Sequence, residues 1–328
     1  MAHFDVFNGD ADGICALHQL RLARPCEATL VTGVKRDTAL VARVPARRGD
    51  ALTVLDISFD TNRDALTKLL AQGVRVEYFD HHYAGDLPQS VDLVAHIDTT
   101  AQVCTSVLVD RHLGGRYRPW AIAAAWGDNL PETARTLARE AGLTEAQSEQ
   151  MRELGESINY NAYGDEVSDL MIAPQALYET LKPYADPFAF IASEPIVEQL
   201  ARCREEDLAL AQTITPLIAL QYGSVFVLPD EPWTRRVRGL FGNVLATSQP
   251  TRAHAVLTTN PDGTYAVSVR APLASPRGAD ELCRAFPGGN GRVGAAGINS
   301  LEHSRLEAFV TAFARVFGRT REAGAPQA

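Results

Sequence analysis

Along the first hundred residues, apolar and polar positions alternate in short blocks. Residues 4–7, 28–32, 52–55 and 75–79 are brief apolar runs bounded by polar or turn residues, the pattern of strands. Between them, apolar residues recur at helical spacing and predict helices starting near Ile14, Thr38 and Thr61. Strands that alternate with helices imply a parallel sheet covered on its faces, and such sheets bind ligands beyond the carboxyl ends of their strands. A further strand is expected at 93–97, then helices at 101–111 and 119–126. From Glu132 to about Ser193 the periodicity is helical throughout, and one long amphipathic helix is expected from Glu194 to about Leu217. Strands return at 224–228, 254–259 and 264–270, the last two joined by a Pro261-Asp262-Gly263 turn, with helices expected at 279–286 and 300–317 and a loose tail from Gly318. The expectation is an α/β protein: an N-terminal parallel-sheet domain with a helical extension (1–193), a linker helix (194–221) and a smaller C-terminal α/β domain (222–328).

Composition changes this picture little. The 328 residues are 46% hydrophobic and 22% charged, ordinary for globular chains of two domains. No apolar run approaches the ~20 residues of a membrane span, and the chain opens on a strand pattern instead of a leader, so a cytoplasmic protein is expected. Five scattered cysteines without a C-x-x-C pair suggest neither structural zinc nor a disulfide framework.

Charge is more informative. The net −9 disfavours a protein that coats long nucleic acid, whose affinity comes from neutralising phosphates. Residues 222–328 carry 12 Arg, no Lys and 8 acidic side chains, a net +4, which leaves 19 basic against 32 acidic residues, −13, in the first 221. An acidic half suits cations, and an arginine-only half suits phosphate, because a guanidinium grips two phosphate oxygens at once.

The carboxylates fall where such a sheet would gather them. Asp10 and Asp12 lie in Asn8-Gly9-Asp10-Ala11-Asp12-Gly13; Asp56 ends one apolar run; Asp80-His81-His82 closes another; Asp128 follows Trp126-Gly127. Each alone has an ordinary explanation as a turn residue, a helix cap or a packed histidine. Together at successive strand ends they would repel one another strongly unless cations intervene. Oxygen-rich sites with one or two imidazoles and no thiolate suit manganese, magnesium or iron better than structural zinc.

These segments resemble, in order and approximate spacing, the four motifs of the DHH phosphoesterase superfamily. Gly288-Gly289-Asn290-Gly291-Arg292-Val293-Gly294 resembles the glycine-rich loop of the DHHA1 substrate-binding domain, so the likeness spans nearly the whole chain. The superfamily includes RecJ-like exonucleases, nanoRNases, nucleotide phosphatases and cyclic-dinucleotide phosphodiesterases, most of them manganese-dependent. The resemblance implies two Mn2+ ions, with Mg2+ as an alternative: one held by Asp10 and Asp56, the other by Asp12, Asp56, His81 and Asp128. Asp80, His81 and His82 would be catalytic, with Asp80 orienting a histidine and His82 facing substrate phosphate. His82, Arg270, Gly289, Asn290, Gly291 and Arg292 would bind substrate. The chain departs from the common pattern at Asn8, where many members carry a histidine, and at Arg292, where histidine usually follows the glycines.

Arg235, Arg236 and Arg238 form another basic cluster, read as a solvated face, and Tyr160, Asn161, Tyr163 and Gly164 are read as packing. The leading expectation is hydrolysis of short oligonucleotides or linear or cyclic dinucleotides by water activated between two cations. The alternatives are a RecJ-like exonuclease, a 3′-phosphonucleotide phosphatase, or a catalytically silent nucleic-acid-binding scaffold. A homodimer is compatible with any of them, and no membrane partner is expected.

Overall fold

The computed structural model describes residues 1–322, with side chains described to Gly318. The chain divides into two units, Met1–Arg204 and Glu205–Ala328.

The first unit runs β1 (His3–Asn8), α1 (Ala11–Ala23), β2 (Thr29–Gly33), β3 (Ala51–Leu55), α2 (Phe59–Ala71), β4 (Arg75–Asp80), β5 (Leu93–Ile97), α3 (Thr105–His112), α4 (Arg118–Gly127), α5 (Pro131–Glu140), α6 (Glu145–Asn161), α7 (Pro174–Leu181), α8 (Pro187–Ser193) and α9 (Pro195–Thr213), the last crossing the division. Its five strands form a parallel sheet in the order β2-β1-β3-β4-β5. Alternation along the strands feeds two cores. Phe7, Leu55 and Phe79 pack with α1, α3, α4 and α6 on one face, while Phe4, Val6, Leu52, Val54, Val76 and Tyr78 pack with α2 on the other. Helix α1 is buried from Ala11 through Leu20, because helices enclose the side that the sheet does not. Helices α4 and α6 meet so closely at Gly155 that a Cβ there would lie 1.8 Å from the Ala123 carbonyl oxygen.

The second unit holds β6 (Ile218–Leu220), β7 (Gly223–Val227), α10 (Pro232–Ser248), β8 (Ala253–Thr259), β9 (Tyr265–Arg270), α11 (Ala279–Arg284), β10 (Gly289–Arg292), β11 (Ala295–Leu301) and α12 (Leu306–Glu322). Its sheet has the order β10-β11-β9-β8-β7-β6, antiparallel except at β7/β8. Helices α11 and α12 cover one face, where Phe313 of α12 packs in one cluster with Leu257, Val267 and Val269. Helix α10 covers part of the other over Phe226 and Val256.

The mixed α/β class and the parallel first sheet agree with the sequence, and several local expectations do not. The helix expected near Thr38 is a single 3-10 turn, Leu40–Arg43, and α3 starts at Thr105. The long helix stops at Thr213, and residues up to Leu217 leave it for strand β6 beyond Pro216, which cannot donate a helical N–H. Helix α10 was not foreseen; Gly239 and Gly242 dilute its apolar stripe. The glycine-rich segment is a β-hairpin and not a loop leading into a helix: Gly291, at φ 143°, lies where a Cβ would fall 2.4 Å from the Ala296 Cα. Ser300 therefore ends in β11, and α12 begins six residues later. The expected loose tail is helical at 318–322, and its remainder lies outside the described residues.

Two glycines should respond oppositely to substitution. Gly155→Val drives a side chain into the α4–α6 contact and should cost at least ~1–3 kcal/mol in urea denaturation. Gly239→Ala, in a helix with open space at the Cβ position, should stabilise the second unit by roughly 0.5–1 kcal/mol.

Candidate metal centre

In the first sheet the chain steps from β1 to β2 on one side and returns to β3 on the other, so the strand order reverses around β1. The carboxyl ends of β1 and β3 thereby flank a crevice that no crossover covers. Asp10 and Asp12 follow β1, Asp56 follows β3, Asp80 ends β4 with His81 and His82 next, and Asp128 caps the end of α4. Asp10, Asp12, Asp56 and Asp80 are all at most 2% exposed.

Backbone amides hold several of these groups. Asp10 is the N-cap of α1, and its Oδ1 accepts from the amides of Asp12 and Gly13, both at 3.0 Å. Its Oδ2 lies 2.5 Å from the Lys35 ammonium. Asp12 accepts from the amides of Thr105 and Ser106 at 2.7 and 2.6 Å, at the N-terminus of α3, where the helix dipole favours an anion. Asp56 sits at φ 58° and accepts from the Thr105 hydroxyl at 3.2 Å. Asn129, directly after Asp128, is the other non-glycine at positive φ among the described residues.

His81 supplies the most informative geometry. Its Nδ1 is 2.9 Å from the carbonyl oxygen of Val103, which can only accept, so Nδ1 carries the hydrogen. In the neutral ring, Nε2 then presents its lone pair to carboxylate oxygens of Asp56 at 3.4 Å and of Asp12 and Asp128 at 3.9 Å. A lone pair facing three anionic groups is repulsive unless a proton or a metal cation lies among them. Asp12, His81 and Asp128 form one set able to hold an ion, and Asp56, His81 and His82 another. Carboxylate oxygens with one imidazole fit a hard divalent ion such as Mn2+ or Mg2+.

The electrostatics agree. Burial, reinforced by Asp12, Asp10 and Asp128, pushes the Asp56 carboxyl well above the usual carboxylate range. Burial and then Asp12 push Asp128 up to about 6. Asp10 is lowered instead: burial would raise it, but the Lys35 ammonium and the Gly13 amide outweigh that. Burial opposes the charge on Lys35, yet Asp10 foremost, with Tyr163 and Asp128, holds it well above its ordinary value. The hydrogen bond with Asp80, 2.7 Å away, raises His82 above the usual imidazole value.

Asp80 therefore braces His82, whereas the Val103 carbonyl orients His81. Asn8 turns both ends of its amide inward, accepting from the Asp10 amide and donating to the Lys35 carbonyl, each at 3.2 Å. In the second unit, sheet register aligns Arg292, Ala295 and Arg270 in one row and Asn290, Gly297 and Ser268 in the next. Arg270, Asn290 and Arg292 thus share one face beside α10, where Arg270 donates to Asn243 at 2.6 Å. Gly289 and Gly291 are spacing positions in β10. Arg235 pairs with Asp230, Arg236 with Asp207, and Arg238 donates to Thr258.

Sequence reasoning missed Lys35, Asn159, Thr105 and Ser106. Lys35 lies two residues past β2, at the same sheet edge as the aspartates, so the rule that found them reaches it too. Tyr163, expected to be packing, has its ring 5.8 Å from the Lys35 ammonium and its hydroxyl accepting from Asn159 at 2.9 Å. Asn161 does pack, bonding both backbone groups of Ile172.

No family model matches the chain, and no curated protein matches it in sequence. Solved structures do match. A RecJ exonuclease bound to manganese superposes with a TM-score of 0.64 at 17% identity, over 99% of this chain and 91% of the other. The chain has the RecJ fold. RecJ from Thermus thermophilus in complex with Mn2+ aligns with a TM-score of 0.60 at 17% identity, over 97% of this chain and 52% of that longer one. PggH from Vibrio cholerae, a pGpG-specific phosphodiesterase, aligns with a TM-score of 0.54 at 13% identity, over 97% of this chain and 99% of its own. The RecJ fold accounts for both units, the one with the parallel sheet and the one with the glycine-rich hairpin.

Raised carboxyls have a signed consequence. Asp56 and Asp128 bind protons more tightly folded than unfolded, so metal-free protein should lose stability as pH rises from about 4 through 6, the window between the ordinary carboxylate value and that of Asp128. Divalent cations should reverse the loss. In melts with EDTA or MnCl2, the metal-induced rise in Tm should be larger at pH 8 than at pH 5; an equal rise at both would contradict this electrostatic account.

Proposed function

We propose that the chain is a divalent-metal-dependent phosphoesterase of the DHH/DHHA1 superfamily, acting on phosphodiester bonds of short oligonucleotides or dinucleotides. The observation that carries this reading is the His81 lone pair set against two buried carboxylates and the half-buried Asp128 in the crevice of a RecJ-fold sheet. Asp12, Asp56, His81 and Asp128 would hold the ion, with manganese suggested by the two RecJ structures that contain it. When bound, such an ion acidifies a coordinated water and draws charge from the phosphoryl group.

The protein's own groups do the rest. The Val103 carbonyl fixes the tautomer of His81, so its Nε2 is available as a ligand. Asp80 accepts from His82 and favours its protonated form, which suits donation to a phosphate oxygen as negative charge builds on it. Arg270, Asn290 and Arg292 share a face whose floor is Ala295, Gly297 and Ser268, small residues that let a nucleotide approach the backbone. A few arginines suffice for a short substrate, whereas an acidic chain is poorly suited to tracking a long polyanion. The pGpG-specific activity of PggH and the exonuclease activity of RecJ mark the range of substrates to test.

With MnCl2, labelled di- to pentanucleotides should be cut to mononucleotides faster than 20-mers; turnover that rises with strand length would favour a RecJ-like exonuclease instead. His82→Ala should lower kcat by about 10²-fold or more if the ring donates a proton. Arg270→Ala combined with Arg292→Ala should act chiefly on KM.

A further inference from the structure

The resemblance to DHH proteins implies two ions, the first held by Asp10 and Asp56. The geometry points to a different arrangement. We infer that the Lys35 ammonium fills the first cation position, so that the centre takes one divalent ion and uses a lysine as its second cation. This rests on the phosphoesterase reading above.

Asp10 differs from Asp12 in that one of its oxygens is filled and the other already carries a cation. One accepts two backbone amides at the start of α1, and the other lies 2.5 Å from the ammonium. Neither of the two ion-holding sets among the described residues contains Asp10. Both sets contain His81, and with Nδ1 committed to the Val103 carbonyl, His81 has one lone pair to give. One lone pair serves one ion.

Lys35 is built into the crevice. Its amide donates to the Ala162 carbonyl at 2.9 Å, and its own carbonyl accepts from Asn8. The ammonium donates to Asn159 Oδ1 at 3.1 Å, lies 3.5 Å from Asp128 and sits beside the ring of Tyr163. Asn159 is steadied in turn by donating to the Tyr163 hydroxyl. Backbone and side chain are thus fixed from β1, α6 and the segment after it, which sets the charge between Asp10 and Asp128. A second divalent ion at Asp10 would have to displace this ammonium or lie against it, and like charges a few Å apart beside a buried carboxylate repel.

The test counts bound manganese on the full chain, by elemental analysis and by electron paramagnetic resonance. The wild type should bind one Mn2+ and give the six-line spectrum of an isolated ion. Lys35→Gln, which removes the charge and keeps a polar chain, should admit a second equivalent and give the spectrum of a coupled pair, while Lys35→Arg should stay at one. Two equivalents in the wild type overturn the inference, and so does a folded Lys35→Gln protein that still binds one. If Lys35→Gln fails to fold by circular dichroism, the wild-type count decides by itself. Absence of manganese binding in the wild type would overturn the phosphoesterase reading as well, so the two failures are distinguishable.

Discussion

Four carboxylates confined within one crevice repel one another, and much of the first unit can be understood as the means of bearing that repulsion. Parallel strands create the problem by delivering Asp10, Asp12 and Asp56 to the same edge. Water could screen them, but three of the four are nearly inaccessible to it. What remains is partial positive charge from the backbone and full positive charge from cations. The start of α3 gives two amides to Asp12, the start of α1 gives two to Asp10, and Lys35 completes Asp10. Asp56 and Asp128 receive least, and they are the two whose protonation is most favoured. The unmet demand is therefore localised, around His81 Nε2.

The second unit follows a different logic. Its sheet is mostly antiparallel, and one face is only partly covered by α10, so β9 to β11 present a flat surface of small residues bearing Arg270, Asn290 and Arg292. The acidic and arginine-rich halves of the chain correspond to these two chemistries.

Much of this was legible in the sequence where periodicity and position agree. Short apolar runs marked β1, β3, β4 and β5 within a residue or two, and the residues just past them include the carboxylates that the structure gathers. What escaped reading was decided by contacts remote in sequence. Lys35 matters because α6 and the residues after it, over 120 positions away, close over it. Thr105 and Ser106 matter through their amides, which a sequence of side chains does not advertise. The glycine-rich segment reads locally as a loop, and becomes a hairpin because β11 finds β9 as a partner. Asp80 and His81 are adjacent, yet alternation turns them apart, so the carboxylate braces His82 instead.

Asp56 and Asn129 adopt the left-handed backbone conformation without being glycine, which costs about 1 kcal/mol or more each. Asp56 is thereby doubly unfavourable, in its backbone and in its buried charge, and the surrounding sheet tolerates it. Directed evolution for thermal robustness would be expected to find an easy gain at Asp56, where glycine both relaxes the backbone and removes the repulsion. That gain would remove one of the residues proposed to hold the ion, so selection for heat tolerance without a simultaneous screen for metal binding would favour variants in which the proposed ion site is incomplete.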